Sequence, residues 1–167
     1  MKTLVADADE KHGRAVAETA APFLLRGLAS SAAADVRSEA LDLATELLRR
    51  FGALPEVAAR LHEPFLAAFV AQLAGPTPLV RKRAAAAIGA LSPVLSDALL
   101  EALVSALLCG IEGGGSRPVA LSGSARTELA TTAAAASART LIQCVCTVAR
   151  QVRACSCGFE MHTVLVV

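Results

Sequence analysis

The chain has 167 residues, enough for one domain with a buried core, and is 54% hydrophobic and 19% charged. A net charge of +1 argues against a general polyanion binder, and the lack of Trp and Tyr removes the usual stacking platforms for single-stranded nucleic acid. No stretch reaches the roughly 18 uninterrupted apolar residues of a membrane span, and the first residues lack the apolar core of a signal peptide. Five cysteines without framework spacing fit a reducing compartment, so the chain is expected to be soluble and intracellular.

Helical periodicity runs through nearly the whole sequence. Residues 1–16 read as a lead-in, and six helices are expected near 17–30, 36–51, 62–74, 79–95, 96–110 and 125–152. In "SEALDLATELLRRF", Ala40, Leu41, Ala44, Leu47, Leu48 and Phe51 form one apolar stripe, and Gly52 suits a left-handed helix stop. In "EPFLAAFVAQLAGPTP", Pro64 suits a first helical turn, Phe65, Phe69 and Leu73 share a face, and two prolines end the helix. The run "VRKRAAAAIGAL" sets three cations against small residues, with Ala84, Ala87, Ile88 and Leu91 facing inward. "SDALLEALVSALL" begins at a plausible N-cap, Ser96. A glycine- and serine-rich insertion at 113–124 precedes "ARTLIQCVCTVARQ", and residues 153–167 form a tail whose "HTVLVV" is a poor helix former.

These helices repeat. Val36-Arg37 matches Val80-Arg81, Ala40 matches Ala84, Ala44 matches Ile88 and Leu47 matches Leu91, all at an offset of 44. The upstream Pro22-Phe23-Leu24 and Pro64-Phe65-Leu66 are 42 apart. A two-helix unit of this length belongs to the HEAT/armadillo class, which predicts an all-α solenoid, a right-handed stack of about three helical hairpins, over 17–152. A third unit follows at an offset of 58, placing Arg139, Ile142, Cys146 and Ala149 where Arg81, Ala84, Ile88 and Leu91 stood. In this register Arg81 faces the inter-repeat turn, while Lys82 and Arg83 point partly outward. The Leu141, Val145 and Val148 side of the last helix is then an uncapped end, which predicts self-association or low stability of the isolated chain.

The segments "EALDLATELLRRFGAL", "VRKRAAAAIGAL" and "ARTLIQCVCTVARQ", in that order, resemble the N-terminal HEAT repeats of the cullin-associated, neddylation-dissociated (CAND, or TIP120) family over roughly residues 20–151. The resemblance implies a scaffold without cofactor or catalytic residues. Its partner would be an unmodified cullin–RING core, and its role the assembly of SCF-type ubiquitin ligases. The chain is far shorter than that family, its tail diverges, and it is expected to be a fragment or short form. A generic HEAT adaptor, such as part of a transport receptor or phosphatase scaffold, is the alternative.

Candidate partner-binding residues are Arg50, Lys82 and Arg83, read as a positive stripe on the second helices. Catalytic readings find little support. Cys144 and Cys146 are two apart on a helix and diverge by about 200°. Cys155 and Cys157 with His162 form at best a chance metal site in the tail. His12, His62 and His162 have no nucleophile–base spacing, His62 reading as a turn residue at a helix start, and "GGGS" lacks the ending of a phosphate-binding loop.

Overall fold

The computed structural model describes residues 10–111, 129, 133 and 136–163, with side chains over 12–111, 129, 133 and 136–153. Among these residues the secondary structure is entirely helical. Helices α1 (Glu10–Gly27), α2 (Ala34–Phe51), α3 (Pro55–Gln72) and α4 (Pro78–Leu91) are followed by a 3-10 turn at Ser92–Val94, then α5 (Asp97–Ile111) and α6 (Ala138–Thr163). Consecutive helices pair as hairpins, α1 with α2, α3 with α4 and α5 with α6. Across hairpins, α2 packs on α4 and α4 on α6 in one layer, while α1 packs on α3 in the other. The all-α class is therefore as expected. The glycine-rich insertion at 113–124 lies outside the described residues.

Helix α4 is the middle of its layer and is contacted by α2, α3, α6 and the 3-10 turn. That position explains its composition. Ala84, Ala85, Ala87, Ile88, Gly89 and Leu91 are all buried, and small side chains let three neighbours approach one helix closely. A Cβ on Gly89 would stand only 2.5 Å from Thr147 Cγ2, so the α4–α6 approach depends on the missing side chain. The bulk that α4 lacks comes from elsewhere. Phe51, Phe65 and Phe69 are fully buried, the last two with ring centroids 5.8 Å apart.

Several helix boundaries differ from expectation for local reasons. Pro64 lies inside α3, which starts at Pro55, and Pro22 likewise lies inside α1. Pro55 takes the N-terminal position, where a missing N–H costs nothing. Pro22 and Pro64 are exposed, so water can reach the backbone carbonyls their rings leave unbonded. Helix α4 stops at Leu91 because Pro93 has no N–H to offer the Gly89 carbonyl, which accepts instead from Ser92 Oγ at 2.8 Å. Gly52 is right-handed, with φ −62°, so handedness is not its reason. A Cβ there would collide with the Leu48 carbonyl oxygen and touch Val94. The lead-in is already helical from Glu10, and α6 continues through Thr163 into the tail.

The third unit is the main correction. The helix expected over 125–152 is interrupted at Ala136–Ser137, and Ser137 caps α6 afresh by accepting from Thr140 N at 3.4 Å. Thr77 does the same for α4, accepting from Val80 N at 3.3 Å. Aligning the two caps gives an offset of 60, which pairs Val80 with Thr140, Ala84 with Cys144 and Ile88 with Val148, all buried. A two-residue slip turns a helix by about 200°. Ile142, Cys146 and Ala149, expected inside, are therefore exposed, whereas Leu141 and Val148, expected at an open end, are buried. Val145 packs against the same core.

Gly89→Ala by itself sets a helix-propensity gain of about 1 kcal/mol against overpacking of about 1–3 kcal/mol. Thr147→Ser removes the opposing methyl. Gly89→Ala should therefore be more favourable by at least about 1 kcal/mol in the Thr147→Ser background than in the parent, measured by urea denaturation of all four chains in a double-mutant cycle. Equal effects in both backgrounds would exclude this contact.

Candidate functional site

The arginines of the second helices divide into two structural roles. Arg37, in the first turn of α2, donates from Nε to the Ala32 carbonyl at 2.8 Å and from Nη2 to the Ser30 carbonyl. Arg81, its counterpart 44 residues later, donates from Nη1 to the Gly75 carbonyl at 2.8 Å. Each guanidinium ties the turn inside its own hairpin to the helix that follows; Arg81 closes a turn, but the one between α3 and α4 and not the inter-repeat turn expected for it. A turn of this kind exposes carbonyls that no helix bonds, and a charged donor satisfies them without further backbone.

Arg83 bridges two helices. Its Nη1 donates to Ser38 Oγ at 2.5 Å and lies 3.1 Å from Asp42 Oδ2 and 3.8 Å from Glu39 Oε1. Ser38 is buried, so this contact joins α4 to α2 at the edge of the core. The other layer has a parallel link, Arg60 on α3 to Glu18 on α1 at 3.0 Å, with Arg14 on the same carboxylate at 3.2 Å.

The three residues expected to form a positive stripe do not act as one. Lys82 is exposed on α4, but Arg83 is engaged with Ser38 and Asp42. Arg50 is exposed on the last turn of α2, its guanidinium carbon 5.6 Å from the Phe51 ring centroid. It stands eight residues beyond Asp42, about 12 Å along the helix from the level of Arg83. The acidic side chains of Glu39 and Asp42 interrupt the stripe between them.

His62 is not in a turn. It is buried in the body of α3, with Nε2 2.9 Å from the Gly52 carbonyl at the end of α2. A neutral ring with its proton on Nε2 donates across the α2–α3 connection. Burial lowers its pKa, and the Gly52 carbonyl only partly opposes that by favouring the charged ring.

Cys144 is buried, its thiol pushed up to about 12 by desolvation, while Cys146 is exposed. The two face different surroundings, as their spacing requires. The side chains of Cys155, Cys157 and His162 lie outside the described residues. Among the described residues no group of three His, Cys, Asp or Glu side chains is placed to hold a metal ion, and no helix is long and apolar enough to cross a membrane. Comparison with known protein families, curated proteins and solved structures returns no match in any of the three.

Arg81→Ala should destabilise the fold by about 1–2 kcal/mol through loss of a charge-assisted bond to a turn carbonyl. Arg83→Ala should cost about 0.5–1 kcal/mol, because the ion pair is partly exposed. Arg83→Glu should cost more, since it sets a third carboxylate beside Asp42 and Glu39. Lys82→Ala should stay within about 0.5 kcal/mol of the parent. Denaturation midpoints of the four variants test the order, which a large Lys82 effect would reverse.

His62 also imposes a pH dependence. Its folded pKa lies below the unfolded value of about 6.5, so between the two the unfolded chain binds more protons. This contribution to stability is complete above about pH 6.5 and is lost as pH falls toward the folded pKa, with a slope of at most about 1.4 kcal/mol per pH unit. His62→Gln keeps a donor for Gly52 and removes the proton. The variant should show a flatter stability profile between about pH 7 and pH 5 than the parent in parallel urea titrations.

Proposed function

We propose that the chain is a non-catalytic helical-repeat scaffold that binds a protein partner. The observation that carries this reading is the recurrence of one hairpin design. Two turns, 44 residues apart, are closed by arginines at matching positions, Arg37 and Arg81. The helices they begin then pack side by side through buried residues in the same register. Repeated units of this kind build extended surfaces instead of a single enclosed cleft.

For the identity of the partner, the support is the resemblance of "EALDLATELLRRFGAL", "VRKRAAAAIGAL" and "ARTLIQCVCTVARQ" to CAND-family repeats. On that resemblance the partner is an unmodified cullin–RING core, and the role lies in assembling SCF-type ubiquitin ligases in the cytoplasm and nucleus. Lys82 and Arg50 remain the contact residues of this proposal. Arg83 contributes indirectly, by holding α4 against α2. Three hairpins offer limited area, so the affinity expected is about 10 μM or weaker.

Immobilised cullin–RING, with and without its covalently attached ubiquitin-like modifier, tests the reading against the full chain by interferometry. The unmodified form should bind with rapid dissociation and the modified form more weakly. Lys82→Glu should slow association with little change in thermal stability. No binding of either form at about 100 μM removes the cullin assignment. Recovery of transport cargo or a phosphatase catalytic subunit by the same chain would support the generic adaptor in its place.

A further inference from the structure

The cations of this chain are distributed unevenly between engaged and unengaged positions. From Arg14 to Arg60 every arginine has a partner. Arg14 and Arg60 meet Glu18, Arg37 meets turn carbonyls, Arg49 meets Glu46, and Arg26 and Arg50 lie over phenylalanine rings. In α4 and in α6 as far as Arg153 the sequence has no acid at all. There Arg81 and Arg83 are engaged. Lys82, Arg139, Arg150 and Arg153 are exposed, and their side chains form no ion pair or hydrogen bond among the described residues.

Three of these four share one face of α6. Arg139, Ile142, Cys146, Ala149, Arg150 and Arg153 follow the three- and four-residue spacing of a single helical stripe, and all are exposed. Ile142 is 50% exposed, and Cys146 and Ala149 continue the apolar line between arginines at either end. On the neighbouring α4, Leu79 is 53% exposed beside Lys82. From Arg139 to Arg153 the stripe runs about 21 Å, or nearly four helical turns.

We propose that this face of α6, with Lys82 and Leu79 at its α4 edge, is the docking surface for an acidic amphipathic helix. A narrow apolar strip bounded by arginines without an ion pair among the described residues complements a helix whose own apolar strip is bounded by carboxylates. The arginines steer the encounter and set orientation, and burial of Ile142 and the small residues around it excludes water from the contact. A nucleic acid fits less well, because the strip carries aliphatic side chains and no aromatic ring on which a base could stack. The inference rests on the reading of the chain as a binding module and holds whether or not the partner is a cullin.

Cys146 lies in the middle of the stripe and gives a readout that needs no substitution. The probe is a fluorescein-labelled synthetic helix of roughly 16 residues, with leucines at i, i+3, i+4 and i+7 flanked by glutamates, titrated into the full chain. It should bind with an affinity that falls as salt rises, and at saturation it should slow alkylation of Cys146, followed by mass spectrometry. Arg139→Glu with Arg150→Glu should weaken binding about tenfold or more, and Ile142→Ser should weaken it without changing its salt dependence. Arg49→Glu, on α2, should leave it unchanged. The proposal falls if a lysine-for-glutamate version of the probe binds equally well, if the double reversal has no effect, or if Cys146 reacts at the same rate with probe bound. It also falls if heparin or anionic vesicles bind more tightly than the acidic helix, which would make the face a general polyanion surface. Binding of the probe without binding of cullin–RING retains this face and removes the cullin assignment; the converse removes this face alone.

Discussion

The close approach of α4 to three neighbouring helices is the constraint on which the rest of the structure depends. Helix α4 has α2 on one side, α6 on the other and α3 behind it. A helix hemmed in this way has little room for long side chains on its inner faces. Ala84, Ala85, Ala87 and Gly89 meet that limit, with Gly89 set against Thr147. Small residues bury little apolar area each, so cohesion comes from the larger side chains of adjoining helices, such as Leu47, Phe51 and Phe65. The same residues that look like a low-complexity alanine run in the sequence are the seam along which the three hairpins meet.

Polar groups finish what this packing leaves open. The turns before α2 and α4 expose carbonyls, and Arg37 and Arg81 bond them. Between hairpins, Arg83 reaches Ser38 and Asp42 in one layer, and Arg60 reaches Glu18 in the other. At the α2–α3 connection a buried histidine donates to Gly52, and near the end of α3 Gln72 Nε2 donates to the Leu28 carbonyl at 2.7 Å. Each of these bonds joins segments far apart in sequence or closes a turn. They define the register between hairpins more than they add to total stability, since partly exposed ion pairs are worth little by themselves.

This division of labour shapes the surface. Arginine in the first three helices is largely taken up by internal contacts, whereas Lys82 and the arginines of α6 face outward, with no acid in α4 or in α6 as far as Arg153. A nearly neutral chain thereby presents a locally cationic face. The two cysteines of α6 show the same geometry on a smaller scale, one thiol buried and held neutral by desolvation, the other exposed on the cationic stripe.

The sequence by itself determined the helical class, the 44-residue relation between the first two hairpins and the inward stripes of α2 and α4. Apolar spacing at three and four residues reports directly on which face of a helix is buried. It also assigned Arg81 to a turn, but to the turn between repeats, whereas the carbonyl it bonds lies in the turn within its own hairpin. Three features were decided only by tertiary structure. The proline positions within α1 and α3 depended on which face met solvent, since an exposed proline ring is tolerated inside a helix. The fate of Arg83 depended on Ser38 and Asp42 arriving beside it from another hairpin. The face of α6 depended on the break at Ser137, where a new cap moved the register by two residues. Arg-Thr-Leu-Ile and Val-Arg-Lys-Arg invite alignment on their arginines, but a helix is oriented by its cap and its packing. A shift of two residues, invisible to composition and small in an alignment, turned Ile142 and Cys146 from the core to the surface and Leu141 and Val148 from the surface to the core.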